Sequence, residues 1–152
     1  MYVKLIHLAL AFLPAFTIAQ CPEFQITELH DLQRAAVDQK DYTITTLGFD
    51  LRSSFTQRGE SIRSYSKCWN SNFQGKSVFE QLVWWNQTAN SITFMTLNET
   101  HYTALRKHIL SRHSGKPASE NPDFYLGKVF QYRFGGRRVD EVDYFFVQIT
   151  FR

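Results

Sequence analysis

Cysteine, proline and glycine are all scarce: two, four and seven residues in a chain of 152. So few cysteines exclude a disulfide-stapled miniprotein, and so little glycine and proline exclude a collagen-like fibre or a low-complexity chain. Neither sign of charge dominates. Seventeen Lys and Arg face 14 Asp and Glu, for a formal net charge of +3. The basic residues are scattered, with Arg106-Lys107 and Arg137-Arg138 the only adjacent pairs, so a nucleic acid partner is not expected. Beyond residue 19 no apolar run reaches the roughly 20 residues that span a bilayer. Local signatures of chemistry are missing too: there is no G-x-S-x-G, H-E-x-x-H, P-loop or C-x-x-C.

What the chain does hold is apolar and rich in rings. Hydrophobic residues make up 43% and charged residues 20%, an ordinary globular balance that excludes a disordered tail. Aromatic residues reach 16%, with 14 Phe, 7 Tyr and 3 Trp.

Residues 1–19 read as a removable export signal. Lys4 supplies the positive start, residues 5–18 are mostly apolar, and Thr17 and Ala19 place small residues before a cut after Ala19. The expected mature protein is one globular domain, residues 20–152, secreted or periplasmic, with no transmembrane span and acting as a monomer. In an oxidising compartment Cys21 and Cys68 are expected to form a disulfide. Closing that loop is worth about 4 kcal/mol in the chain-entropy model. Gln20 is not the small residue that a lipid-attachment site would place before Cys21.

Periodicity then places the elements. A helix opens at residues 25–29, with Thr27 as a cap and Leu29, Leu32, Ala35 and Ala36 on one face. Residues 37–46 fit either helix or strand, because Tyr42, Thr43, Ile44 and Thr45 favour strands while Gly48 suits a helix end. Leu47, Phe49, Leu51 and Phe55 alternate with polar residues as in a half-buried strand. Arg58-Gly59-Glu60 reads as a turn, 62–69 as a weaker strand, 70–76 as a polar loop, and 78–85 and 92–97 as paired strands. Asn98 caps a second helix, about 99–112, with Tyr102, Leu105 and Ile109 facing inward. Residues 114–123 read as the longest loop. Phe145, Val147, Ile149 and Phe151 share a final strand face, matched by Phe124, Leu126, Phe130, Tyr132 and Phe134. A two-residue turn at Gly135-Gly136 then sets Phe124 opposite Val147, Leu126 opposite Phe145 and Lys128 opposite Asp143. The expected fold is α+β: an antiparallel sheet of about five to six strands, two main helices packed on one face, and a C-terminal β-hairpin.

Candidate chemistry is thin. His101 and His108 lie about 10.5 Å apart along a helix axis, too far to share an ion, so neither a metal nor a cofactor is expected. Those histidines, with His113, read as a polar helix face and a charge at its C-terminal end. Asp140, Glu141 and Asp143 offer carboxylates at glycosidase spacing, but beside Arg137 and Arg138 they read as a solvated, charge-balanced hairpin tip. No catalytic residues are assigned. The aromatic residues say more. Trp84 and Trp85 are adjacent on a strand and must point to opposite faces. Tyr144 and Phe146 repeat that pattern, because Phe145 and Val147 claim the other face. These four are the candidate ligand-binding residues. The leading expectation is an exported, non-catalytic binding domain whose aromatic sheet surface meets a protein, peptide or carbohydrate. A small hydrolase, with His101 or His108 close to an acid, and an inhibitor or immunity-type protein that binds an enzyme are the alternatives. Asn86-Gln87-Thr88 and Asn98-Glu99-Thr100 fit the N-glycosylation rule, whose use depends on the host.

Overall fold

The computed structural model describes residues 21–112, 116–117 and 123–152. The proposed leader, His113 and most of the 114–123 loop lie outside the described residues. The chain runs α1 (Ile26–Arg34), a 3-10 turn (Val37–Gln39), α2 (Lys40–Thr46), β1 (Asp50–Gln57), β2 (Glu60–Phe73), β3 (Lys76–Asn86) and β4 (Ser91–Thr96). It continues through α3 (Glu99–Arg112), β5 (Lys116–Pro117), β6 (Phe124–Leu126), β7 (Phe130–Val139) and β8 (Val142–Phe151). The fold is α+β as expected, with a larger sheet. Seven antiparallel strands of three residues or more, plus the two-residue β5, lie in the order β1-β2-β3-β4-β8-β7-β6-β5. Three α-helices are described rather than two.

The helices cover one face of this sheet. α1 turns Ile26, Leu29, His30, Leu32 and Gln33 inward, and α3 contributes His101, Leu105 and Ile109. They close over Tyr65, Val83, Trp85, Ile92, Phe94, Tyr132, Phe134, Val147 and Ile149. Phe24, just before α1, is locked into this core. Its ring stacks on Phe94 with centroids 4.4 Å apart, and its carbonyl lies 2.8 Å from Nε2 of His101. The disulfide Cys21–Cys68 ties the same segment to β2.

The ambiguous segment 37–46 is helical. Thr43, Thr45 and Thr46 each donate a hydroxyl hydrogen bond to a carbonyl one turn back, which lets strand-favouring residues sit in a helix. Lys40 is fully buried there, and its ammonium donates to the carbonyls of Leu32, Gln33 and Ala35 at 3.1, 3.0 and 2.7 Å. It satisfies acceptors that the end of α1 leaves open. Burial lowers its pKa from the ordinary lysine value. α1 starts two residues earlier than a Thr27 cap would allow: Gln25 is the N-cap, and Glu28 accepts from its N–H. The helix also stops at Arg34, leaving Ala36 exposed. Asn98 caps α3 as expected, its side-chain oxygen accepting the His101 N–H at 3.0 Å.

The strands differ from expectation in three places. β1 is an edge strand with an irregularity after Leu51, and Leu51 is 48% exposed, so its alternation marks no buried face. β2 and β3 extend through the expected polar loop and turn at Gln74-Gly75, both at positive φ. Most consequential, the last hairpin turns at Asp140-Glu141 and not at Gly135-Gly136. The tip residues have φ of 47° and 64°, the left-handed pair of a type I′ turn, and Arg138 pairs with Asp143 and Phe134 with Val147. Gly135 lies mid-strand opposite Phe146. A Cβ there would come within 2.9 Å of the Phe146 ring, so this glycine makes room for an aromatic neighbour and bends nothing. The set before it is also split. Phe124, on β6, pairs with Arg133 of β7, and Phe130 begins that separate strand after a break at 127–129.

Candidate functional site

Among the described residues no helix covers the second face of the sheet, yet it is not bare. Leu82, Met95, Val142 and Tyr144 form a second buried cluster there, edged by Phe73, Val78, Phe79, Trp84, Leu97, Val139 and Phe146. Strand lengths explain it. β4 ends at Thr96, while β3 and β8 continue past it. Their overhanging ends meet: the Tyr144 hydroxyl donates to the carbonyl of Phe79 at 2.8 Å. Lys76, at the start of β3, donates to the carbonyl of Glu141 at 3.1 Å and lies 3.7 Å from its carboxylate. Arg52 of β1 pairs with Asp140 at the β7–β8 tip. In a flat sheet β1 and β8 would stand about 19 Å apart at the usual strand spacing, beyond the reach of two side chains. The sheet therefore rolls around its helix-free face, which is concave.

Within that concavity lies a cavity of about 450 Å³, lined by Arg52, Ser53, Phe55, Ser64, Trp84, Val139 and Asp140. Each residue has a local reason to be there. Ser64 pairs with Trp84 across β2 and β3, and with Ser53 across β1 and β2, so all three share a face. Phe55, the one half-buried side chain of β1, meets Trp84 edge-on with centroids 5.2 Å apart. Asp140 arrives because the hairpin turns at that residue. Arg137 lies over both Trp84, at 5.0 Å, and Phe146, at 5.6 Å. Arg52 sits 5.7 Å from the ring of Phe79. Desolvation, followed by the neighbouring charges of Arg133 and Arg58, lowers the pKa of Arg137.

The four candidate aromatic residues divide between the faces. Trp85 is 2% exposed in the helix-covered core, which leaves it no surface for a ligand. Trp84, Tyr144 and Phe146 share the concave face. Tyr144 is walled in at 4% exposure, and burial pushes its pKa up to about 12. Trp84 is half-buried, lines the cavity, and keeps a buried indole Nε1–H with no hydrogen-bond partner among the described residues. Sequence reasoning missed Arg52, Phe55, Ser64, Arg137 and Asp140. A correct turn at Asp140-Glu141 would have set Arg137 opposite Tyr144 and pointed to the first of the cationic contacts.

The carboxylates at 140, 141 and 143 are hairpin-tip residues engaged with Arg52, Lys76 and the strand register. His101 is not on a polar helix face: it is buried, its Nε2 against the Phe24 carbonyl. Asn86 is half-buried, donating to Glu60 at 2.8 Å and accepting from the Ala89 N–H at 2.9 Å, whereas Asn98 is exposed. Among the described residues no helix is long and apolar enough to cross a membrane. Comparison with protein-family models, with curated proteins and with solved structures gives no match.

Proposed function

We propose that this is an extracytoplasmic, monomeric binding domain without catalytic activity, and that its concave sheet face takes a carbohydrate ring. One observation carries the reading: the cavity combines two aromatic side chains, Trp84 and Phe55, with the hydroxyls of Ser53 and Ser64 and the paired Arg52 and Asp140. A sugar offers a flat C–H face to rings and a rim of hydroxyls to polar groups, and those are the two needs of this lining. A protein or long peptide would ask for a broader open patch than the rolled sheet leaves. The Cys21–Cys68 bridge supports an oxidising compartment. Of the two histidines the hydrolase reading would use, His101 and His108, the first is enclosed and faces a backbone carbonyl, which favours binding over catalysis at that residue.

A glycan array probed with the wild-type domain and with Trp84→Ala tests this. The expected result is retention of at least one mono- or disaccharide by the wild type and its loss in the variant. Absence of any retained glycan, or retention unchanged by Trp84→Ala, would overturn it.

A further inference from the structure

On the other side of the sheet, where α1 meets the 127–129 break, four segments distant in sequence enclose a second cavity. It measures about 440 Å³ and is lined by His30 and Arg34 of α1, Arg112 ending α3, residues 126–129, Phe130 and Tyr132 of β7, and Arg152. Its charge is one-sided. Arg34, Arg112, Lys128 and Arg152 all line it, and among the described residues no Asp or Glu does. Four cations elsewhere in this protein do meet acids: Arg52 with Asp140, Arg63 with Asp41, Lys76 with Glu141, Arg106 with Asp123. None of the four lining cations forms an ion pair among the described residues.

The floor is built of aromatic rings. His30 stacks on Phe130, centroids 5.0 Å apart, and its Nε2 lies 2.8 Å from the Tyr132 hydroxyl. Burial pushes the Tyr132 pKa up to about 12, so its hydroxyl adds no negative charge. The Arg34 guanidinium sits 5.3 Å from the Phe130 ring centroid, and Arg152 reaches the Gly127 carbonyl at 3.5 Å. Leu126 and Val129 add aliphatic surface. Four like charges around one depression repel one another, and an anion placed among them relieves that repulsion. Guanidinium groups suit an oxyanion, because their planar donors match carboxylate and phosphate oxygens.

We propose that this cavity binds a small amphiphilic organic anion. Its carboxylate or phosphate head would sit among Arg34, Arg112, Lys128 and Arg152, and its short apolar body would lie against Leu126, Val129 and Phe130. The site is separate from the concave face and does not depend on the reading given for it.

Isothermal titration of the full domain with octanoate and with phenyl phosphate decides between carboxylate and phosphate, and octanol serves as the neutral comparator. Saturable binding of at least one anion is expected, with octanol not bound, and with affinity falling as sodium chloride rises from 50 to 500 mM (about one Debye length at 0.1 M is 10 Å). The double variant Arg34→Gln, Arg152→Gln should weaken binding about tenfold or more, and Arg112→Gln on its own should weaken it measurably. Trp84→Ala should leave it unchanged. These arginines are exposed, and circular dichroism confirms that each variant is folded. Failure of both anions to bind, equal binding of octanol, or indifference to the arginine substitutions in folded protein would overturn the proposal.

Discussion

Arg52 and Asp140 stand 88 residues apart in the chain and pair across the open side of the sheet, joining its first strand to the tip of its last hairpin. The pair is partly exposed, so its expected worth is small. Asp140→Asn, which removes the charge but keeps a residue suited to the left-handed turn position, should lower unfolding stability by about 0.2–1 kcal/mol in urea titration. The same substitution should speed amide exchange at the β7–β8 tip, because the contact that holds the tip against β1 is gone. Unchanged exchange there would mean that the sheet does not need the pair to stay rolled.

The two adjacent glycines should behave differently. Gly135→Ala drives a Cβ to 2.9 Å from the Phe146 ring, whereas Gly136→Ala meets nothing nearer than the Tyr144 carbonyl at 3.8 Å. Thermal unfolding should show Gly135→Ala destabilised by about 1–3 kcal/mol, the usual range for overpacking. Gly136→Ala should be neutral, or stabilised by up to about 1 kcal/mol through the unfolded chain.

Reduction of Cys21–Cys68, or the double change to serine, should cost about 2–5 kcal/mol. The loss should come with exposure of Phe24, because the bridge anchors the segment that places this ring against Phe94. A melting curve with and without reductant, compared with the serine variant, checks it.

Alkaline pH should unfold the protein through its buried phenols. Burial raises Tyr132 and Tyr144 to about 12, from an ordinary value of 10.0. Tyr65 is also raised, by burial first and then by its hydrogen bond to Asp41. With the folded pKa above the unfolded one, the folded state holds protons that the unfolded state releases. The stabilisation is complete below pH 10 and is lost as pH climbs from about 10 toward 12. Absorbance titration should show the buried tyrosines Tyr132 and Tyr144 ionising only as the pH approaches 12, together with loss of structure.

Much of the architecture could be read from residue patterns because it rests on local chemistry. The Asn98 cap, the inward row Leu105 and Ile109, and the opposite faces of Trp84 and Trp85 follow from periods of 3.6 and 2. The misread hairpin shows where such reading stops. Gly135-Gly136 has the better turn composition, but the chain turns at Asp140-Glu141, and the close approach that suits Gly135 comes from Phe146 in another strand. The curl of the sheet was equally hidden. It depends on β4 being shorter than β3 and β8, a comparison among three strands that no single segment expresses. So the aromatic members of the candidate site could be named from sequence, and their charged companions Arg52, Arg137 and Asp140 could not. Lys40 belongs to the same class: its three carbonyl acceptors come from the end of a different helix.

The most direct test uses the three tryptophan indoles as reporters. In protein labelled with nitrogen-15 at tryptophan, each Nε1–H gives its own resonance. Titration with the mono- or disaccharide retained on the array should move the Trp84 signal, while buried Trp85 and Trp69, which is 59% exposed beside Phe79, hold still. A shift confined to Trp69, or saturation with all three signals unmoved, would contradict a sugar site in the concave face.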